Sequence, residues 1–145
     1  IELGSNAVFP VSPADLMPAF QGKSLGDAML FFGCRHPDHD YLYREELEQY
    51  NADGIVNLHT AFSRVENGRT YVQDLIAREA DRVWSLIEQS ARIYICGDGA
   101  RMEPDVRSAL VQICASKRGC SVLDAAAWID ELIEQEHYLL DVWVG

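Results

Sequence analysis

The stretch Ala91-Arg92-Ile93-Tyr94-Ile95-Cys96-Gly97-Asp98-Gly99 decides how this chain is read. A short apolar run ends in a cysteine and then breaks into two glycines flanking an aspartate. Such a run reads as a buried parallel strand that delivers a reactive side chain and bare backbone to the edge of a sheet. In open α/β sheets, ligands bind outside the carboxyl ends of the strands. Two other stretches end in a comparable way, Ala28-Met29-Leu30-Phe31-Phe32-Gly33-Cys34-Arg35 and Ile55-Val56-Asn57-Leu58-His59-Thr60-Ala61-Phe62-Ser63-Arg64. Three strands, each followed by a polar or Gly-bearing turn, predict one shared ligand site.

Working outward, Met29 to Cys34 is a continuous apolar run, as expected of a strand covered on both faces. The polar loop Arg35-His36-Pro37-Asp38-His39-Asp40 precedes a helix predicted from about Tyr43 to Tyr50, with Tyr43, Leu47 and Tyr50 on one face. Asp53-Gly54 ends that helix, and Ile55 to Leu58 is the next predicted strand. Tyr71-Val72-Gln73 opens a helix carrying Val72, Leu75 and Ile76. A second helical run with Val83, Trp84, Leu86 and Ile87 follows a break near Ala80-Asp81. The helix beginning near Pro104 keeps Val106, Ala109, Leu110, Ile113 and Cys114 on its core face. Pro104 suits its first turn, and Lys117, Arg118 and Gly119 suit its end. Ser121 with Asp124 opens another helix as an acidic variant of the capping box, burying Val122, Ala125, Ala126, Ile129, Leu132 and Ile133. Tyr138 to Trp143 reads as a final strand. The order β-α-β-α(α)-β-α-α-β implies an α/β fold with an open, mostly parallel sheet and helices on both faces.

The 145 residues fit one domain and one conventional core without staples. A hydrophobic content of 48% with 24% charged residues is globular rather than disordered. The net charge of −11 argues against nucleic acid and against an anionic membrane face. It leaves room for a small anionic ligand held by local arginines. Cys34, Cys96, Cys114 and Cys120 form no CxxC pair and have no histidine at zinc-finger spacing. They read as free thiols of a reducing, cytoplasmic compartment. No apolar run approaches a membrane span, and residues 1–20 lack the charged start of a signal peptide. Residues 1–26, with Pro10, Pro13 and Pro18 and a Ser12-Pro13-Ala14-Asp15 turn, read as irregular.

Ser63 and Arg64 with Arg69 and Tyr71 form the best anion site on offer: a hydroxyl, two guanidinium forks and a phenol across one short strand-to-helix loop. Arginine matches phosphate oxygens bidentately, tyrosine can stack on a nucleobase, and a strand-end arginine selects a 2′-phosphate in dinucleotide sites. The same residues also read as a solvated turn with two surface arginines. Cys96 before Gly97-Asp98-Gly99 reads either as a thiol close to a reacting carbon or as a buried structural cysteine, composition favouring the latter. His36 and His39 with Asp38 and Asp40 form a nonspecific H-x-D-H loop, and no metal site is expected. Trp143 near the end reads first as packing, with shielding of a flat cofactor as the other possibility.

Taken together and in this order, Phe31-Phe32-Gly33-Cys34-Arg35, Asp40-Tyr41-Leu42-Tyr43, Ala61-Phe62-Ser63-Arg64, Tyr71-Val72-Gln73, Ile95-Cys96-Gly97-Asp98 and Asp141-Val142-Trp143 closely resemble the NADPH-binding half of the diflavin reductases. These include NADPH–cytochrome P-450 reductase, the reductase part of nitric oxide synthase and the sulfite reductase flavoprotein. Arg101-Met102-Glu103-Pro104-Asp105-Val106 and the Asp-Val-Trp-x-Gly ending look most like the reductase segment of self-sufficient fatty-acid hydroxylases. The resemblance covers about residues 22–145.

The resemblance implies a ferredoxin-reductase-type NADP-binding domain that presents NADPH for hydride transfer to FAD, with onward transfer through FMN to a haem monooxygenase. Ser63, Arg64, Arg69 and Tyr71 would hold the adenosine 2′-phosphate, with Gln73 at the adenine–ribose end; the family commonly has lysine where Arg69 stands. Arg35 would approach the pyrophosphate or ribose. Cys96 and Asp141 would flank the nicotinamide, with Gly97, Asp98 and Met102 in the same cofactor site. Trp143 would stack on the FAD isoalloxazine and move aside as a gate. The implied partners are FAD-binding, FMN-binding and haem domains, without nucleic acid and without a membrane segment.

One departure matters. The family's loop of the type G-P-G-T-G-x-A-P-F-R, which cradles the pyrophosphate with backbone N–H groups, has no counterpart in Gly4-Ser5-Asn6-Ala7-Val8-Phe9-Pro10-Val11-Ser12-Pro13. The leading strand and this loop are therefore expected to be missing or replaced. Residues 1–21 read as an irregular arm or replaced segment, and residues 22–145 as the NADPH-binding domain. Such a piece is expected to be inactive alone. The alternative is a catalytically silent nucleotide-binding or interaction domain.

Overall fold

The computed structural model describes residues 26–65 and 68–144. The expectations for residues 1–21, including the Gly-rich loop and leading strand, lie outside these. The described elements are β1 (Met29–Cys34), α1 (Arg44–Ala52), β2 (Asn57–Phe62), α2 (Val72–Arg78), α3 (Ala80–Glu88), β3 (Ile93–Asp98), α4 (Met102–Arg118), α5 (Val122–Glu134) and β4 (Tyr138–Trp143). Their order is the predicted one.

Among the described residues the strands form two parallel pairs, β1 with β2 and β3 with β4. The predicted parallel sheet is thus present as two ladders, and none joins β1 to β3. One core nevertheless spans both pairs. Phe31 and Ala61 from β1–β2 share a cluster with Ile95 and Tyr138 from β3–β4, closed by Val106, Leu110, Ile113 and Cys114 of α4 and Ala125 and Ile129 of α5. Helix α4 is the hub, packing against α2, α3, α5 and β3. Alternation along β1 turns Phe32 to the other face, where it is fully buried and stacks on Tyr41 with ring centroids 5.1 Å apart.

Several element boundaries differ from the expected ones. Strand β2 starts at Asn57 rather than Ile55, because the N–H groups of Ile55 and Val56 both turn back to the Tyr50 carbonyl, at 2.9 and 3.4 Å. Those two residues instead close the turn that follows α1. Tyr43 is the N-cap of α1, with left-handed φ of 55°, and not its first helical residue. Helix α4 begins at Met102, so Pro104 sits in its first turn, where a missing N–H costs nothing. The break between α2 and α3 falls at Glu79. Ser121 caps α5 as expected, its Oγ accepting the Asp124 N–H at 3.1 Å. Val122, expected in the core, is half exposed.

Candidate functional site

The carboxyl ends of β1 and β2 face the start of α4 across a cavity of about 420 Å³. Its walls bring together five of the predicted cofactor residues: Ser63, Tyr71, Gln73, Asp98 and Met102. Ser63 follows β2, Tyr71 and Gln73 open α2, Asp98 ends β3 and Met102 opens α4. With Gly33 and Cys34 of β1, five elements therefore meet at one point, as a ligand site at the edge of a parallel sheet requires.

Backbone hydrogen bonds beyond the strands set this edge. The Ser63 N–H donates to the Cys34 carbonyl at 3.0 Å and the Arg64 N–H to the Arg35 carbonyl at 2.8 Å. The ladder so continues two residues into the loops and brings the backbones of Arg35 and Arg64 side by side. The Thr70 N–H donates to the Phe62 carbonyl at 3.1 Å, which closes the loop and returns the chain to Tyr71. The Tyr71 N–H is taken by the Asp74 carboxylate at 2.9 Å, fixing the first turn of α2.

The arginines are not equivalent. Arg35 donates to Asp40 from both Nε and its backbone N, each at 3.0 Å, and the His36 N–H reaches the other oxygen at 2.7 Å. Burial alone would push the Asp40 carboxyl up; the His36 and Arg35 N–H groups and the Arg35 guanidinium outweigh it and hold the carboxyl below its ordinary value. Arg35 is thus already committed to a carboxylate. Arg64 and Arg69 are exposed, and among the described residues no carboxylate pairs with either. None of these three arginines lines the cavity itself.

The remaining predicted residues form a second cluster on β3–β4. The parallel register sets Cys96 beside Asp141, Gly97 beside Val142 and Asp98 beside Trp143. Cys96 Sγ lies 4.0 Å from Asp141 Oδ2. Burial first, and the Asp141 carboxylate second, push the Cys96 thiol up, so at neutral pH it is a protonated thiol and not a nucleophilic thiolate. Trp143 is half exposed. Two glycines are needed here. Gly97 adopts φ of 143°, and a Cβ on Gly99 would come within 2.9 Å of the Val142 side chain, where the Gly99 N–H bonds the Trp143 carbonyl. Asp98 and Met102 line the cavity with Ser63, Tyr71 and Gln73 rather than joining Cys96 and Asp141. Asp98 Oδ1 accepts the Ala100 and Arg101 N–H groups at 2.8 and 3.2 Å, which fixes the entry to α4.

The cavity also contains residues that sequence reasoning did not select, among them Thr70, Arg101 and Asp105. Asp105 accepts from Gln73 Nε2 at 3.2 Å. Its signal was available: Asp105 lies three residues after Met102 on one helix, so the two share a face. Arg101 precedes the helix and carried no periodicity to mark it. No group of His, Cys, Asp and Glu among the described residues could hold a metal ion, and the His36 and His39 rings lie tilted at 36° to each other, their centroids 4.7 Å apart.

Comparisons with known proteins identify the family of the chain. Residues 16–108 match the family model of the oxidoreductase NAD-binding domain. The chain is 45% identical over 126 residues to the bifunctional cytochrome P450/NADPH–P450 reductase 2 of Bacillus subtilis, covering 86% of this chain and 12% of that protein. It is 46% identical over 123 residues to the NADPH–cytochrome P450 reductase of Musca domestica and 42% identical over 124 residues to that of Homo sapiens. These matches cover 84% and 85% of this chain and 18% of each relative. The chain thus spans less than a fifth of the length of the curated relatives it matches. On its α/β architecture, its carboxyl-edge cavity and these matches, the chain belongs to the oxidoreductase NAD-binding domain family.

Proposed function

We propose that this chain is the NADPH-binding module of a diflavin oxidoreductase, presenting NADPH for hydride transfer to FAD and onward electron transfer through FMN to a haem monooxygenase. On this reading residues 22–145 are the module, and its partners are FAD-binding, FMN-binding and haem domains. The names of its relatives, NADPH–P450 reductases and cytochrome P450 fusions, support that class. The observation that carries it is the convergence of Ser63, Tyr71 and Gln73 on one cavity beside two arginines that no described carboxylate neutralises.

The residues present suit such a cofactor. Arg64 and Arg69 hold the 2′-phosphate by charge-assisted hydrogen bonds, and the Ser63 hydroxyl adds a donor. The exposed Tyr71 ring covers the adenine. Gln73, its amide nitrogen turned to Asp105, presents its oxygen to ribose or adenine donors. Bound NADPH supplies the hydride. Cys96 and Asp141 flank the nicotinamide: the thiol, kept protonated, neither attacks nor repels, and Asp141 adds an acceptor beside it. Trp143, half exposed two register positions further along the same ladder, is the aromatic plane that would shield the flavin face and make way for the nicotinamide.

Retention of the full chain on immobilised 2′,5′-ADP tests this reading. Loss of one charge-assisted contact costs about 1.5–3 kcal/mol, so Arg64→Ala should weaken retention roughly 10- to 150-fold. A matrix of 5′-AMP, which lacks the 2′-phosphate, should not distinguish the variant from the parent. Equal elution of the parent from both matrices would contradict the reading and leave a domain silent toward this cofactor.

A further inference from the structure

The far end of α4 holds a pair of thiols that the cofactor site does not use. Gly119 ends the helix with a left-handed φ of 63°, and the Cys120 N–H turns back to the Ala115 carbonyl at 3.1 Å. This six-to-one closure is the Schellman cap, which lays the residue after the glycine against the last turns of its own helix. Here that residue is Cys120, and Cys114 lies in the helical turn on which it closes, one residue before the Ala115 carbonyl that accepts its N–H. The Cys114 thiol interacts with the Cys120 thiol and with the Arg118 guanidinium. Cys114 is fully buried, whereas Cys120 is partly exposed and packs against the same core. Cys120 is thus the more accessible of the two residues. Cys96 offers the contrast, with the Asp141 carboxylate beside its sulfur in place of a thiol.

We propose that Cys114 and Cys120 form a thiol–disulfide exchange site, in which Cys120 takes a small-molecule disulfide such as oxidised glutathione and Cys114 resolves it. The Cys120 thiolate attacks one sulfur of the disulfide, forming a mixed disulfide and releasing one small thiolate. Cys114 then loses its proton to solvent and attacks the Cys120 sulfur, closing the Cys114–Cys120 disulfide and releasing the second thiolate. Two protein thiols are oxidised, one small disulfide is reduced to two thiols, and the protons released by the cysteines are taken up by those thiols. Burial pushes the Cys114 thiol up while Arg118 opposes that, so Cys114 acts second, on a sulfur already placed against it. The product ties the last turn of α4 to the residue preceding the Ser121 cap of α5. The helix whose first turn lines the cofactor cavity would then be pinned at its opposite end.

The test is titration of the native full chain with oxidised glutathione, followed by acid quench, alkylation and peptide mapping. The parent should lose two hydrogens in one peptide containing Cys114 and Cys120, without retained glutathione there. Cys114→Ala should instead hold one glutathione on Cys120, and Cys120→Ser should leave Cys114 reduced. A glutathione adduct that persists on Cys120 in the parent would overturn the proposal. So would a parent in which Cys96 is modified while both Cys114 and Cys120 remain reduced. Both outcomes are read on the unmutated chain, so they hold even where a variant fails to fold.

Discussion

At the carboxyl end of β1–β2 stand Arg35, Ser63 and Arg64, two cations and a hydroxyl. At the carboxyl end of β3–β4 stand Cys96, Asp141 and Trp143, a thiol, a carboxylate and an aromatic plane. The strand geometry is the same, six residues per strand paired in parallel register. What differs is how the edge is built. On β1–β2 the important groups lie beyond the last ladder pair, placed by loop hydrogen bonds from Ser63, Arg64 and Thr70. On β3–β4 they are ladder residues, placed by register alone. The first edge suits an anion whose position can adjust with a loop. The second suits a flat group that must sit at a fixed distance from a rigid surface. In an acidic chain, Arg64 and Arg69, which have no carboxylate partner among the described residues, also make the first edge distinctive.

The comparison breaks first at the level of stability. If one core unites both pairs, removing bulk from either side should shift the same single transition. Ile129→Ala, in the shared cluster, should cost about 2–5 kcal/mol, and Phe32→Ala, on the opposite face against Tyr41, about 3–5 kcal/mol. Urea denaturation followed by both tryptophan fluorescence and far-UV circular dichroism checks this. Separate transitions for the two probes in either variant would show that the strand pairs fold as independent units.

A smaller effect separates the chemistry of the edges. Asp141→Asn removes the carboxylate that, after burial, disfavours the Cys96 thiolate. The thiol is raised in the folded protein, so its thiolate fraction at neutral pH should rise in the variant. Alkylation at Cys96, followed by peptide mapping, should quicken roughly two- to tenfold. Retention on 2′,5′-ADP should stay unchanged, because Asp141 lies on the other edge. An equal loss of retention would merge the two sites.

The smallest effect concerns the Arg35 loop. Asp40 is depressed in the folded chain, so its contribution is fully present above the ordinary carboxylate value near pH 4 and fades as pH falls through its lower folded value. Asp40→Asn should flatten the acid limb of the stability profile and cost about 1 kcal/mol or less at neutral pH. A profile identical to the parent below pH 4 would show that the Asp40 clamp adds nothing.

Much of this was legible in the residues themselves. The period-3.6 pattern of Val106, Ala109, Leu110, Ile113 and Cys114 predicted a buried helix face; four of the five are buried and Ala109 is partly buried against the same core. Tyr138 to Trp143 and Met29 to Cys34 are strands with the predicted bounds. The start of β2 was misplaced because Ile55 and Val56 have strand-like side chains but carry backbone bonds to Tyr50 that composition does not encode. Met102 was expected in the cofactor site and lines the cavity, whereas its helical neighbour Asp105 was passed over although it shares the face. The Cys114–Cys120 contact was hidden for another reason. It depends on a left-handed glycine that reverses the chain, and six residues along a continuing helix would have put the two side chains on different faces.

By itself, the sequence determined the local structure: which runs form strands and helices, which faces are apolar, and which residue types end each strand. Those properties follow from side-chain periodicity and short-range hydrogen bonding. Only the tertiary structure decided which strand ends share a cavity, that Arg35 is bound to Asp40 while Arg64 and Arg69 have no described carboxylate partner, and that Asp98 sits with Ser63 rather than with Cys96. These depend on ladder register and on loop closures between residues far apart in the chain, where a shift of one residue turns a side chain to the other face.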